Sequence, residues 1–193
     1  MLELKNVSKI YNDSKVALQN INLKLADTGF VLINGKSGSG KTTFLNLIGN
    51  IILPTKGEVT YNNKNINEIK KYTYKYISYI FQDYNLFSSL NVLENIRFLN
   101  KNANKELIKN FQIEDILDKK VNEISGGEAR RVAVIRSIIN NSKIILCDEP
   151  TASLDLDNEK KILELLKEKS KNSLVIVVSH HLDVIKPYAD RII

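Results

Sequence analysis

The stretch Gly35-Lys36-Ser37-Gly38-Ser39-Gly40-Lys41-Thr42 concentrates three of the chain's eight glycines in one short turn. It has the spacing G-x-x-x-x-G-K-[ST]. An apolar run, Phe30 to Ile33, leads into it, and a helical pattern, Thr43 to Ile48, leads out. Glycines let the backbone curl until several N–H groups point inward, and the start of the helix adds partial positive charge. Phosphate oxygens suit such a turn. Lys41 has the reach for the β- and γ-phosphates of a nucleotide. The Thr42 hydroxyl is a ligand for Mg²⁺, a hard cation that prefers oxygen. The loop predicts nucleotide binding and leaves the reaction open.

The apolar runs set the fold class. Those at 30–33, 144–147 and 174–178 lack alternation, as central parallel strands covered on both faces do. Strands are expected near 2–7, 17–26, 29–34, 57–61, 76–81, 143–147 and 174–178, and a final one where the chain stops at Asp190-Arg191-Ile192-Ile193. Helices are expected near 41–50, 91–100, 104–111, 126–140, 158–171 and 181–187. The chain reads as a single α/β domain over 1–193, with a helical lobe at about 83–140 inserted in the core.

At 193 residues, 43% hydrophobic and 26% charged, the composition is that of one globular domain. No window approaches the roughly 18 unbroken apolar residues of a membrane span. Met1-Leu2-Glu3-Leu4-Lys5 lacks the features of a signal peptide, so a cytoplasmic protein is expected. The one cysteine, Cys147, lies in an apolar run and reads as a small buried residue. The net charge of +6 reads as a Lys-rich solvated surface. Nucleic acid is not expected as a partner, because no stretch interleaves basic and aromatic residues densely. Tyr72-Thr73-Tyr74-Lys75-Tyr76 comes nearest and reads as the lead-in to a strand.

A second acidic feature follows. Ile144-Ile145-Leu146-Cys147-Asp148-Glu149 is an apolar strand ending in two carboxylates. Ligands of parallel sheets bind at such strand ends. Asp148 is placed to hold Mg²⁺ through water, and Glu149 to accept a proton from an attacking water.

Ser125-Gly126-Gly127-Glu128, followed by Arg131 and Arg136, joins Asp148-Glu149-Pro150-Thr151, Ser153-Leu154-Asp155 and Ser179-His180. In this order and spacing, and over essentially the whole chain, the sequence resembles the ABC ATPase family. The resemblance implies a P-loop NTPase core with a mostly parallel sheet, an N-terminal antiparallel β region and an inserted helical subdomain. It implies ATP and Mg²⁺ as ligands, with Gly35 to Thr42 and the adjoining Thr43 on the nucleotide. Tyr11 matches the aromatic residue that stacks on adenine, with Val16 nearby. Gln82 matches the glutamine that contacts Mg²⁺ and the attacking water. Ser125, Gly126, Gly127 and Glu128 match the signature that meets the γ-phosphate held by the opposite subunit. Asp155 matches the loop that communicates across the dimer, and His180 the histidine that steadies the transition state. His181 has no functional match. Glu128 departs from the usual glutamine and adds a negative charge, and family members commonly continue past the final strand.

Two further stretches, Thr43 to Gly49 with Pro54 to Val59, and Ile80 to Leu86 with Leu93 to Ile96, resemble the lipoprotein-releasing, macrolide-export and bacteriocin-export branch. The resemblance implies a homodimer, or a pseudo-dimer with a second ATPase subunit. That pair would sit at the cytoplasmic face of the membrane and drive a separate permease, exporting a peptide, lipoprotein or hydrophobic compound. Tyr84, Leu86 and Phe87 form a candidate docking patch for the permease. The alternatives are a non-transport ABC-type ATPase, a P-loop kinase and a binding-only subunit. The first lacks support because neither a coiled-coil insertion nor a second ATPase half is present. The signature and Glu149 speak against the second.

Overall fold

The computed structural model describes residues 1–12, 15–69, 75–98, 100, 105–152 and 154–193. Two sheets divide the strands. Strands β1 (Leu2–Ile10), β2 (Val16–Leu25), β4 (Lys56–Tyr61) and β5 (Lys64–Asn65) form an antiparallel sheet in the order β2-β1-β4-β5. In β1, Leu2, Leu4 and Val7 are buried. Leu2 lies opposite Leu25 on one side and Tyr61 on the other, so one face of this sheet is apolar. Asn62 and Asn63 turn β4 into β5 with φ of 50° and 62°, a left-handed pair that asparagine tolerates.

The second sheet is parallel throughout. Strands β3 (Gly29–Ile33), β6 (Ile77–Ile80), β7 (Ile144–Asp148), β8 (Leu174–Val178) and β9 (Arg191–Ile192) take the order β6-β7-β8-β3-β9. Its unbroken apolar runs divide between two cores. Val31, Ile33, Ile144, Leu146, Leu174 and Ile176 face a cluster with the antiparallel sheet and with Phe44, Leu45, Leu47 and Ile48 of α1 (Lys41–Ile48). Phe30, Leu32, Ile145, Cys147, Val175 and Val177 face the remaining helices. Successive strand side chains point to opposite faces, so each run fills both cores at once. Cys147 is fully buried, and that burial pushes its thiol pKa up, which leaves it inert.

Between β6 and β7 the described residues hold α2 (Val92–Arg97), α3 (Lys105–Asn110), short 3-10 turns at Glu114–Ile116 and Val121–Glu123, and α4 (Gly126–Ile138). After β7 come α5 (Leu156–Ser170) and the short α6 (Leu182–Ile185). Capping residues mark the helix starts. The Asn91 side chain accepts from Glu94 N–H before α2, and Ser125 accepts from Glu128 N–H before α4. The expected elements thus appear with boundaries shifted by a few residues, and β5 is added. Of the tyrosine-rich lead-in, Tyr72 to Tyr74 lie outside the described residues, while Lys75 and Tyr76 are helical just before β6.

Candidate active site

The register of the parallel sheet brings distant segments to one edge. Ile33 and Asp148 both lie opposite Val178, and Cys147 lies opposite Ile80. The chain leaves these strand ends as the glycine loop, Gln82, Asp148-Glu149 and Ser179-His180. Gln82, Asp148, Glu149 and His180 line a cleft together with Tyr11, Lys15, Ala17, Ser37, Gly38, Gly40, Lys41, Thr42 and Thr43.

The loop closes tightly. Gly40 has φ of 93°, and a Cβ there would stand 2.4 Å from the Ala17 carbonyl oxygen, so no other residue fits. Lys41 is buried, and its Nζ donates to the Gly35 carbonyl at 2.8 Å and the Lys36 carbonyl at 3.0 Å. The loop thus holds its own cation at the place where phosphate oxygens would be met. Ser39 N–H donates to the Lys36 carbonyl at 3.1 Å and completes the turn.

Asp148 is 4% exposed. Burial pushes its carboxyl above the ordinary aspartate value, a hydrogen bond with the Thr42 side chain opposes the shift, and the Glu149 charge adds to it. Glu149 leaves the strand with φ of 51°, a left-handed conformation unusual for a glutamate and found at functional sites. Its Oε2 accepts from Ser179 Oγ at 3.0 Å and from His180 N–H at 3.3 Å. Its Oε1 is buried without a hydrogen-bond partner and lies 3.6 Å from His180 Nε2.

The donor set suits Mg²⁺. Thr42, Gln82 and Asp148 offer a hydroxyl, an amide oxygen and a carboxylate, all hard oxygens. Among the described residues no cluster of three or more His, Cys, Asp or Glu exists to form a cage. Mg²⁺ rarely uses such cages, relying on one or two protein oxygens, water and substrate phosphates.

Not every residue singled out in the sequence reaches the cleft. Tyr11 stands at its rim, 40% exposed, with its hydroxyl 3.3 Å from Thr43 Oγ1. Val16 does not line it, whereas its neighbour Ala17 does, because adjacent strand residues point oppositely. Gly35, Lys36 and Ser39 build the loop beneath. Ser125, Gly126, Gly127 and Glu128 lie outside the cleft at the start of α4, and Asp155 caps α5, its carboxylate accepting from Asn158 N–H at 2.9 Å. Lys15 lines the cleft without a signal in the sequence, and the hydroxyl of Ser179, a residue of the Ser179-His180 motif, meets Glu149 rather than the cleft itself. A lone lysine among 28 basic residues carries no pattern, and the Ser179 contact depends on the turn at Glu149.

A separate apolar groove runs between β6 and the helices. Ile51, Tyr79, Phe81, Phe87, Phe98 and Arg136 are among its lining residues. Phe87 and Phe98 pack with ring centroids 4.4 Å apart and planes tilted by 39°, and both are exposed. Of the expected patch only Phe87 contributes. Leu86 packs into the helical core, and Tyr84 lies against the Arg130 guanidinium.

The family profile described as ABC transporter matches residues 18–152. The ABC transporter ATP-binding protein MJ0796 of Methanocaldococcus jannaschii is 38% identical, the alignment covering 100% of this chain and 92% of that protein. The phosphonates import ATP-binding protein PhnC of Treponema denticola is 35% identical over 100% of this chain and 85% of its own length. Among solved structures, the dimeric post-hydrolysis state of MJ0796 bound to ADP and Pi superposes with a TM-score of 0.89 at 37% identity, covering 100% of this chain and 93% of that one. Matching a family profile over most of its length and a solved cassette over all of it, this chain belongs to the ABC transporter family as an ATP-binding cassette ATPase.

Proposed function

We propose that two copies of this chain, or one copy and a second ATPase subunit, clamp ATP between them head to tail and drive a separate permease. One observation carries the reading. The cleft gathers Lys41, Thr42, Gln82, Asp148, Glu149 and His180, while Ser125 to Glu128 and Asp155 stand outside it. The signature turn can reach a phosphate in such a cleft only on another subunit. Its helix start supplies N–H donors and a partial positive charge suited to a γ-phosphate.

In this reading each residue has a defined task. Lys41 exchanges two loop carbonyls for phosphate oxygens. The glycine loop supplies backbone donors, and Tyr11 at the rim stacks on adenine. Thr42, Gln82 and Asp148 hold Mg²⁺, which when bound neutralises phosphate charge. Glu149, with Oε2 fixed by Ser179 and Oε1 without a hydrogen-bond partner, accepts the proton of the attacking water. His180, its Nε2 beside that carboxylate, stabilises charge on the transferring phosphoryl group. Closure of the pair excludes water and strengthens these electrostatic effects.

The groove at Phe87 and Phe98 is the proposed seat of the permease. No described helix is long and apolar enough to cross a membrane, so the translocation path falls to a partner. The subunit then sits at the cytoplasmic face of the membrane. The branch resemblance favours outward transport of a peptide, lipoprotein or hydrophobic compound. ATP-driven release of substrate from the lumen of reconstituted vesicles with their ATPase sites outside would overturn that direction in favour of import, the direction named for the phosphonates relative.

The decisive experiment is Glu149→Gln. The variant is expected to bind ATP, to lose hydrolysis by about a hundredfold or more, and to accumulate as ATP-bound dimers in light scattering. Wild-type turnover, or a monomer at saturating ATP, would overturn the reading.

A further inference from the structure

Gln82 reaches the cleft from a segment with no regular structure of its own. Between β6 and α2 the backbone makes no strand or helix, so its carbonyls need partners elsewhere. Two arginines of α4 supply them. Arg130, 3% exposed, donates from Nη1 to the Phe81 carbonyl at 2.7 Å and from Nη2 to the Gln82 carbonyl at 2.5 Å. Arg136 donates from Nη1 to the Asn85 carbonyl at 2.9 Å and from Nη2 to the Tyr84 carbonyl at 3.3 Å. Each guanidinium spans two carbonyls with its planar fork, which a single ammonium cannot do.

Arg130 is linked to the signature turn through Tyr84. The Arg130 guanidinium carbon lies 4.9 Å from the Tyr84 ring centroid. The Tyr84 hydroxyl abuts Gly126 so closely that a Cβ there would stand 2.7 Å away. Tyr84 is therefore held between Arg130 and the first turn of α4. Among the described residues neither arginine forms an ion pair with a carboxylate. The Nε of Arg130 is buried without a hydrogen-bond partner, and burial pushes its pKa down. The buried cation gives two main-chain carbonyls outside any strand or helix their donors, and an apolar side chain in its place would leave both without them.

We propose that Arg130 is a positioning residue that latches the Gln82 segment to the first turns of α4, so that Gln82 and Ser125–Gly127 move as one body. It touches neither nucleotide nor metal and acts through the Gln82 backbone. A rotation of the helices then withdraws or presents Gln82 and the signature turn together. This rests on the roles proposed above for Gln82 and the signature.

A double-mutant cycle on the full chain tests it, with steady-state ATP hydrolysis and ATP binding as readouts. Arg130→Met is expected to lower kcat about ten- to a hundredfold, the scale of misplacing a reacting group by an ångström. ATP affinity of the monomer, set by the glycine loop, should stay within about twofold. Gln82→Ala should also lower kcat, and the double variant should fall no further than the worse single one. Arg130→Lys should fold and bind ATP like wild type yet turn over like Arg130→Met, because it keeps the cation and loses the fork. If Arg130→Met fails to fold, the Arg130→Lys cycle decides in its place. Turnover of Arg130→Lys at the wild-type rate, or losses that multiply with Gln82→Ala, would overturn the latch. Dimers of Glu149→Gln with ATP would then show that only the latch has failed, whereas their absence points to the head-to-tail reading itself.

Discussion

Ser179 donates its hydroxyl to Glu149 Oε2 across 3.0 Å, fixing one carboxylate oxygen while the other, Oε1, is buried without a hydrogen-bond partner. The pair joins the loop after β7 to the loop after β8, and the left-handed turn at Glu149 makes it possible. A carboxylate anchored by one oxygen keeps the other for chemistry.

Removing that anchor should therefore weaken turnover without touching nucleotide binding. Ser179→Ala deletes one hydrogen bond to a charged group, worth about 1.5–3 kcal/mol. A fall in kcat of roughly ten- to a hundredfold is expected. Monomer ATP affinity by calorimetry should not change. An unchanged kcat would show that Ser179 does not orient Glu149.

Lys41→Ala leaves the Gly35 and Lys36 carbonyls without their cation and removes the charge that would meet phosphate. ATP affinity should drop by at least about tenfold, the effect of losing one charge-assisted contact of about 1.4 kcal/mol or more. Calorimetry with ATP and Mg²⁺ measures this. Unchanged affinity would remove Lys41 from the nucleotide site.

At Gly40 a methyl group meets the Ala17 carbonyl and the backbone must keep φ of 93°. Gly40→Ala should destabilise the fold by about 1–3 kcal/mol, as left-handed strain and overpacking do. Thermal unfolding reports it, and ATP binding should weaken in the same variant because the loop can close only by shifting β2.

Asp148 gives a pH-dependent expectation. Burial raises its folded-state pKa above the unfolded value, so the folded protein holds the proton more tightly. Stability from this group is then present below the unfolded pKa and is lost as pH rises through the folded pKa. In nucleotide- and metal-free protein at neutral pH, Asp148→Asn should raise the melting temperature. The gain should shrink as pH falls through the ordinary aspartate range. A variant that is less stable at neutral pH and equal at acid pH would reverse the sign.

The family was legible because its evidence is local. The glycine turn at 35–42, the strand-end carboxylates Asp148-Glu149 and the Ser125-Gly126-Gly127 helix start each declare their chemistry through residue type and spacing within a few positions. The parallel sheet was legible for the same reason, since runs such as Leu174 to Val178 offer no polar face to water. What local pattern cannot encode is which way a side chain points once strands are registered. That is why Ala17 lines the cleft while Val16 does not, and why the Gln82 backbone is held by an arginine 48 positions away. The amino-acid sequence by itself determined an ATP-binding cassette with its loop and carboxylates. Tertiary structure alone decided which oxygen of Glu149 lacks a hydrogen-bond partner and which helix holds the Gln82 backbone, because both depend on distances between segments that only packing brings together.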